Sequence, residues 1–225
     1  MKPIQAAVFD LDGTILDTLD DLSDSLAAVL RRAGLPERTR EETRRFVGNG
    51  IRLLIERAVP EGTEQSKTDA VYADFLSYYG AHCAEKTAPY PGIAETLRAL
   101  KDAGIRTAVV SNKADGPVKA LASRYFPALF DAAVGEREGI RRKPAPDALF
   151  EVIRLLGVSP DGTVYVGDSD VDIETAKNAG IPCLSVTWGF RSRDFLFRHG
   201  ATVLIERPEE LTALLLDKEK EKKYD

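Results

Sequence analysis

Short apolar runs that alternate with helical segments constrain the fold of this chain more than any other feature of its sequence. Short, uniformly apolar strands separated by helices are typical of a parallel sheet that is covered by helices on both faces. The sequence therefore predicts an α/β fold. The predicted strands cover residues 4–9, 105–110, 163–166, 181–186 and 201–205. The helical patterns between them cover residues 92–104, 115–126, 145–157 and 170–180.

Residues 19–85 interrupt this alternation, because only helical patterns fill the interval after the first predicted strand. An apolar stripe covers 19–33, and the residues TREE at 39–42 have the spacing of a helix-capping box. Two further helical patterns cover residues 51–59 and 64–84. The sequence thus predicts an inserted all-helical domain, residues 16–86, within a core formed by residues 1–15 and 87–225.

The composition argues against several classes of partner. The chain has 44% hydrophobic residues and a formal net charge of −5, and its acidic balance argues against nucleic acid. No apolar run approaches the roughly 20 residues that span a bilayer, so we expect no membrane partner. We expect a cytoplasmic protein that is a monomer or a homodimer.

Two acidic residues, Asp10 and Asp12, follow the first predicted strand in the stretch AAVFDLDGT. Alternate side chains of an extended segment point the same way, so the two carboxylates would converge and repel unless a cation or a proton intervenes. Open parallel sheets bind ligands at this end of their strands. The alternative is a strand end with an Asx-type turn into a helix.

Polar residues also follow the other predicted strands. Ser111 and Asn112 stand where the next helix would begin, which predicts an anion cradle. Lys143, in the stretch RRKPAP, lies in a proline-rich loop and carries a charge suited to phosphate. The stretch GDSDVD supplies Asp168 and Asp172. Together these residues predict a cation site, an anion site and a nucleophile at one edge of the sheet.

The four motifs DLDGT, SN, KPAP and GDSDVD, in this order, resemble those of the haloacid dehalogenase-like (HAD) phosphatases. The resemblance covers essentially the whole chain, and it implies a Rossmannoid core with an inserted helical cap. Within the superfamily the chain is similar to phosphoglycolate phosphatases, through FVGNGIRLLIERA at 46–58 and VTWGF at 186–190.

The resemblance implies roles for the acidic residues. Asp10 would be the nucleophile that attacks phosphorus, and Asp12 would be the general acid and then the general base. Mg²⁺ would bind the carboxylates of Asp10 and Asp168 and the backbone carbonyl of Asp12. Asp172 would orient the water shell of the metal or Lys143. An acid at position 12 favours phosphoryl transfer over dehalogenation, because a leaving halide needs no proton.

The resemblance also implies a phosphate site. The hydroxyl of Ser111, the N–H of Asn112 and the ammonium of Lys143 would hold the transferring phosphoryl group.

Substrate specificity would come from the helical domain. Gly48, Asn49 and Gly50 precede the predicted helix at 51–59, and Arg52 lies in its first turn. The free N–H groups of this helix, with Arg52, would receive the carboxylate of a small substrate such as 2-phosphoglycolate. The alternative is an interhelical turn whose glycines only supply permissive backbone angles.

Three function hypotheses follow from these residues. The first is a Mg²⁺-dependent phosphatase acting on a small phosphorylated metabolite, 2-phosphoglycolate above all. The second is another phosphotransfer enzyme of the superfamily: a β-phosphoglucomutase, a pyrophosphatase or a nucleotidase. The third is a non-catalytic binding module, which the presence of every acid and of Lys143 argues against.

Overall fold

A computed structural model describes residues 3–216 of the chain. The strands are β1 (Ala6–Phe9), β2 (Leu16–Asp17), β3 (Ala88–Pro89), β4 (Arg106–Ala114), β5 (Ala132–Glu136), β6 (Thr163–Gly167), β7 (Cys183–Val186) and β8 (Val203–Ile205). The helices are α1 (Leu19–Arg32), α2 (Arg40–Phe46), α3 (Ile51–Ala58), α4 (Gln65–His82), α5 (Ile93–Asp102), α6 (Asp115–Tyr125), α7 (Asp147–Leu156), α8 (Asp170–Ala179), α9 (Arg193–Arg198) and α10 (Pro208–Leu216). In this part of the chain no helix has the length and apolar character needed to span a bilayer.

The core of the fold is a six-stranded sheet in the order β5-β4-β1-β6-β7-β8. β1 lies in the interior and pairs in parallel with β4 on one side and β6 on the other, with Val8 opposite Ala108 and Tyr165. The chain builds the sheet outward from β1 in one direction and then in the other. Open parallel sheets bind ligands where the strand order reverses, which in this sheet is at the carboxyl end of β1 and its neighbours.

The predicted fold class is confirmed, since helices flank this parallel sheet and the segment after β1 is helical. Two details differ from the prediction. β5 was missed, because its sequence AAVGE is short and only partly buried at the edge of the sheet. β4 extends to Ala114 with a shift in register after Val110, and α6 begins at Asp115, as the 115–126 pattern predicts. Ser111 and Asn112 therefore lie near the end of a strand, and the expectation that they stand at the first N–H groups of the next helix is wrong.

The chain separates into two compact units, one ending at Ile15 and resuming at Pro89, the other covering Leu16–Ala88. The sequence predicts the second boundary between residues 86 and 87. The short strands β2 and β3 pair with each other where the chain passes between the units.

The helical unit contains α1 to α4. The apolar stripe of α1 is buried, and α1 packs against α2 and α4. Thr39 and Glu42 form the capping box that the TREE stretch predicted, with each side chain bonded to the backbone N–H of the other residue.

A buried carboxylate joins the first helix of this unit to its last segment. Asp21 of α1 accepts hydrogen bonds from the backbone N–H groups of Lys86 and Thr87, both at 2.8 Å, and from the Thr87 hydroxyl at 2.7 Å. Its side chain is almost fully buried. A charged acceptor that satisfies three donors away from water stabilises the unit more than a surface pair does.

Replacement of this carboxylate is expected to destabilise the helical unit. Asp21→Asn keeps the size of the side chain but puts an NH₂ group where one oxygen accepts hydrogen bonds. We expect the free energy of unfolding, measured by urea titration, to fall by roughly 2–3 kcal/mol.

The matched control is Asp24→Asn on the same helix. Asp24 also bonds Lys86, through the ammonium at 2.6 Å, but its side chain is 59% exposed. We expect its loss to cost under about 1 kcal/mol. Equal effects of the two substitutions would contradict the assignment of Asp21 as a buried anchor.

Candidate active site

The carboxyl ends of three adjacent strands bring the predicted core residues together. Asp10 follows β1, Asn112 lies near the end of β4, and Asp168 follows β6. Lys143 reaches the same place from the loop before α7, with its Nζ 2.9 Å from Asp10 Oδ1. Asp172, in the first turn of α8, completes the group.

Asp10 is a buried carboxylate at the end of the interior strand. Its backbone N–H donates to the Val166 carbonyl of β6, which fixes its position in the sheet. Its Oδ1 accepts from the Leu11 N–H at 2.7 Å and lies beside the Lys143 ammonium. Burial and the nearby acids Asp172 and Asp168 raise the pKa of Asp10 well above its ordinary value, although Lys143 opposes this shift. A cation bound beside Asp10 would offset the repulsion from the nearby acids and favour the ionised carboxylate.

Two backbone segments, at Gly13 and Gly189, approach the Asp168 side chain closely. Its Oδ1 accepts from the Thr14 hydroxyl at 3.2 Å and its Oδ2 from the Phe190 N–H at 2.7 Å. A Cβ on Gly13 or on Gly189 would collide with this side chain, and Gly13 also has a φ of +85°. Only glycine therefore allows both loops to approach the carboxylate. Burial, reinforced by Asp172, raises the pKa of Asp168 to about 7.

Lys143 places a buried positive charge beside Asp10 and Asp172. Its Nζ lies 2.7 Å from Asp172 Oδ1 and 3.0 Å from the Tyr165 hydroxyl, in addition to Asp10. Burial alone would lower the pKa of Lys143, but Asp10 and Asp172 raise it well above its ordinary value. The side chain of Asn112 holds the Lys143 backbone, accepting from its N–H at 2.8 Å and donating to its carbonyl at 3.1 Å.

Both oxygens of Asp172 are engaged by protein groups. Oδ1 accepts from Lys143 and from the Tyr165 hydroxyl at 3.2 Å, and Oδ2 accepts from the Ser169 N–H at 3.1 Å and hydroxyl at 2.6 Å. The Ser169 contacts form the capping box of α8. Because both of its oxygens are held in this way, Asp172 can fix the orientation of the Lys143 ammonium.

Two residues of the site were not predicted from the sequence. Tyr165, in the centre of the apolar run TVYV, places its hydroxyl between Lys143 and Asp172. Lys113 places its Nζ 3.1 Å from Asp12 Oδ1. One signal was available for Tyr165, because a tyrosine in a fully buried strand needs a partner for its hydroxyl. For Lys113 the signal was its position directly after Ser111 and Asn112.

Residues 48–52 belong to the helical unit. Gly50 caps α3 with a φ of +85°, and as a glycine it has no side chain that could accept from the first N–H groups of this helix. Arg52 is engaged within the unit: it pairs with Asp69 at 2.6 Å and with Glu56 at 3.8 Å, and it stacks over the Tyr72 ring at 4.5 Å.

The acidic residues of the core fit a metal ion. Asp10, Asp168 and Asp172 each offer a carboxylate oxygen, these oxygens lie within 4.8 Å of one another, and all three residues are buried. Carboxylate oxygens are the ligands that hard divalent cations take. The raised pKa values of Asp10 and Asp168 also indicate a cation site, because the buried negative charge exceeds what Lys143 compensates.

Comparison with known proteins identifies the family of this chain. The family model of haloacid dehalogenase-like hydrolases matches residues 7–186, and the chain belongs to this family. A phosphoglycolate phosphatase of Mesorhizobium japonicum is 39% identical over 196 residues, which cover 83% of this chain and 84% of the relative. A phosphoglycolate phosphatase of Pseudomonas putida is 34% identical over 220 residues, which cover 92% of this chain and 77% of the relative.

The fold comparison gives the same family. A solved structure from Lactobacillus delbrueckii subsp. bulgaricus superposes with a TM-score of 0.91 at 39% identity, covering 95% of this chain and 98% of that one. The prediction of an enzyme of the HAD superfamily that resembles phosphoglycolate phosphatases is confirmed.

The metal-free protein is expected to lose stability as the pH rises. A carboxyl whose pKa is about 7 in the folded state binds a proton more tightly than in the unfolded chain, so its contribution is lost as the pH rises through 7. Between about pH 5 and pH 8 we expect the free energy of unfolding in a chelator to fall by roughly 2–3 kcal/mol. Urea titration at each pH measures this decline.

Two variants test the origin of the decline. Asp168→Asn should flatten it, although Asp10 will keep part of it. Asp147→Asn is the control, because Arg141 lowers the pKa of Asp147, which therefore titrates below this range. A metal-free protein whose stability rises over the same range would contradict the assignment.

Proposed function

We propose that this protein is a Mg²⁺-dependent phosphatase that hydrolyses a small phosphate monoester through an aspartyl-phosphate intermediate, with 2-phosphoglycolate as the substrate. The observation that carries the proposal is the buried Asp10 carboxylate, which lies 2.9 Å from Lys143 and beside Asp168 and Asp172. A nucleophile, a fixed cation and a set of metal-binding oxygens are the components that phosphoryl transfer requires.

The chemistry divides into two displacements on phosphorus. In the first, an oxygen of Asp10 attacks phosphorus, the bond to the ester oxygen breaks, and a proton from Asp12 passes to the leaving alkoxide. In the second, water attacks the phosphorus, Asp12 takes a proton from that water, and the bond to Asp10 breaks. The products are the alcohol and inorganic phosphate, and both aspartates return to their starting state.

Mg²⁺ would be held by the carboxylates of Asp10 and Asp168 and by the backbone carbonyl of Asp12. When bound, the ion neutralises negative charge on the phosphoryl group and on the acids around it. We assign Asp172 the second of its two predicted roles, the orientation of Lys143, because its contacts to Lys143 and Ser169 engage both of its oxygens.

The phosphoryl group would be bound by the Ser111 hydroxyl, the Asn112 N–H and the Lys143 ammonium. The pairing of the Asn112 side chain with the Lys143 backbone supports this role, because it locks two of the three groups to each other. Groups that do not need to reorganise during the reaction stabilise developing charge most effectively.

The substrate assignment rests on the relatives, two of which are named phosphoglycolate phosphatases. In this proposal the substrate carboxylate is received by the first N–H groups of α3, after Gly48, Asn49 and Gly50. Arg52 would assist only by exchanging its bond to Asp69 for the substrate.

The test is phosphate release from a panel of esters with and without Mg²⁺. The panel contains 2-phosphoglycolate, pyrophosphate, β-glucose 1-phosphate, nucleoside monophosphates and p-nitrophenyl phosphate. We expect 2-phosphoglycolate to have the highest kcat/KM and a chelator to abolish release. Asp10→Asn should lower kcat by at least roughly a thousandfold, because the variant lacks the nucleophile.

Asp161→Asn is the matched control. Asp161 is exposed and precedes β6, at the opposite end of that strand from Asp168, so its loss should leave kcat unchanged. Fastest release from another ester would refute the substrate and leave the phosphatase in place. Release that survives in Asp10→Asn would refute the mechanism.

A further inference from the structure

Lys113 is a second buried lysine of the catalytic unit, and neither the motifs nor the proposed mechanism gives it a role. It lies near the end of β4, and only 5% of its side chain is exposed. Its Nζ lies 3.1 Å from Oδ1 of Asp12. The two aspartates after β1 therefore pair with different lysines, Asp10 with Lys143 and Asp12 with Lys113.

The backbone that carries Lys113 is closely held. Its N–H donates to the Ser111 hydroxyl at 3.2 Å. On the other side, β5 approaches so closely that a Cβ on Gly135 would collide with the Lys113 carbonyl. The ammonium is thus presented to Asp12 from a fixed strand, and its hydrogen bond to Oδ1 restricts the directions that the Asp12 carboxyl group can take while it leaves Oδ2 to carry the proton.

The exposure of the two partners indicates which of them meets the substrate. The Asp12 side chain is 21% exposed, about four times the fraction of Lys113, so the acid is the more accessible of the two partners. An ion pair that is buried at one partner costs desolvation free energy, which makes it weak evidence for a purely stabilising role.

We propose that Lys113 is a positioning residue that directs the Asp12 carboxyl group toward the leaving-group oxygen. The inference rests on the proposed phosphatase mechanism and concerns its first displacement. In that step the Asp10 oxygen bonds to phosphorus, the bond to the ester oxygen breaks, and the Asp12 proton passes to that oxygen. Lys113 exchanges no proton and touches no reacting atom, and it acts only through Asp12.

The test compares two esters that carry the same charge and differ in the need for a proton. Phenolate leaves slowly unless it is protonated, whereas p-nitrophenolate leaves readily without help. Single-turnover measurements with enzyme in excess follow phenol or p-nitrophenolate release, and thus the first displacement alone. For Lys113→Met we expect the rate constant for phenyl phosphate to fall at least about tenfold more than that for p-nitrophenyl phosphate.

A double-mutant cycle with Asp12→Asn tests whether Lys113 acts through Asp12. Asp12→Asn should show the same selective loss on phenyl phosphate, and adding Lys113→Met to it should change the rate constant less than about twofold. Lys119→Met is the matched control, because Lys119 also pairs with an aspartate, Asp115 at 2.6 Å, but on the exposed surface of α6. It should leave both esters unaffected.

Three results would overturn the inference: equal losses on both esters, a loss from Lys113→Met that persists in the Asp12→Asn background, or a raised KM with unchanged kcat. If Lys113→Met does not fold by thermal melting, Lys113→Gln supplies the same comparison. A wild-type protein that releases phosphate from neither these esters nor 2-phosphoglycolate would refute the proposed function itself. Asp10-dependent cleavage without the selective loss would refute only the role of Lys113.

Discussion

The Lys143 ammonium lies within hydrogen-bond distance of two buried carboxylates, Asp10 at 2.9 Å and Asp172 at 2.7 Å. Without this charge, the acids at the ends of β1 and β6 would repel one another in a region that water does not screen. With it, the negative charge is only partly balanced, and the carboxyl of Asp168 has a pKa of about 7. The Lys143 charge therefore allows these acids to be buried together, and the negative charge that remains uncompensated favours the binding of a cation.

The rest of the site holds Lys143 in place. The Asn112 side chain bonds both its backbone N–H and its carbonyl, and the Tyr165 hydroxyl bonds its ammonium. A glycine is needed at position 167, because a Cβ there would collide with the Asp172 side chain. Each of these contacts comes from a different segment of the chain, so the geometry of one ammonium depends on the whole interior of the sheet.

The sequence predicted the class of fold and the acids of the core because both leave local signals. Apolar runs that end on acids indicate strand ends, and the four motifs occur in a recognisable order. The sequence did not reveal β5, in which three of five residues are apolar and only two are buried. Nor did it show that β4 continues to Ala114, because the pairing that extends the strand is made with β5.

The partners of the catalytic acids were also beyond the sequence. Lys113 lies next to a motif but meets Asp12 only because β4 lies beside β1, and this adjacency is a property of the sheet order. Tyr165 has the appearance of an ordinary core residue, and its hydroxyl gains significance only once Lys143 is placed above it. Position along the chain identifies candidate residues, whereas long-range pairing decides which of them act together.

The interior location of β1 has a consequence for how the chain is made. Its residues emerge from the ribosome before those of its partner strands, since its register partners are Arg106 on one side and Thr163 on the other. Until β4 is made this fully apolar strand has two unpaired edges, and until β6 is made it keeps one, while the helices of residues 16–88 can form from local contacts. A nascent chain arrested before β6 would therefore carry the nucleophile on an exposed, aggregation-prone strand, and chaperones and proteases would recognise it as unfolded.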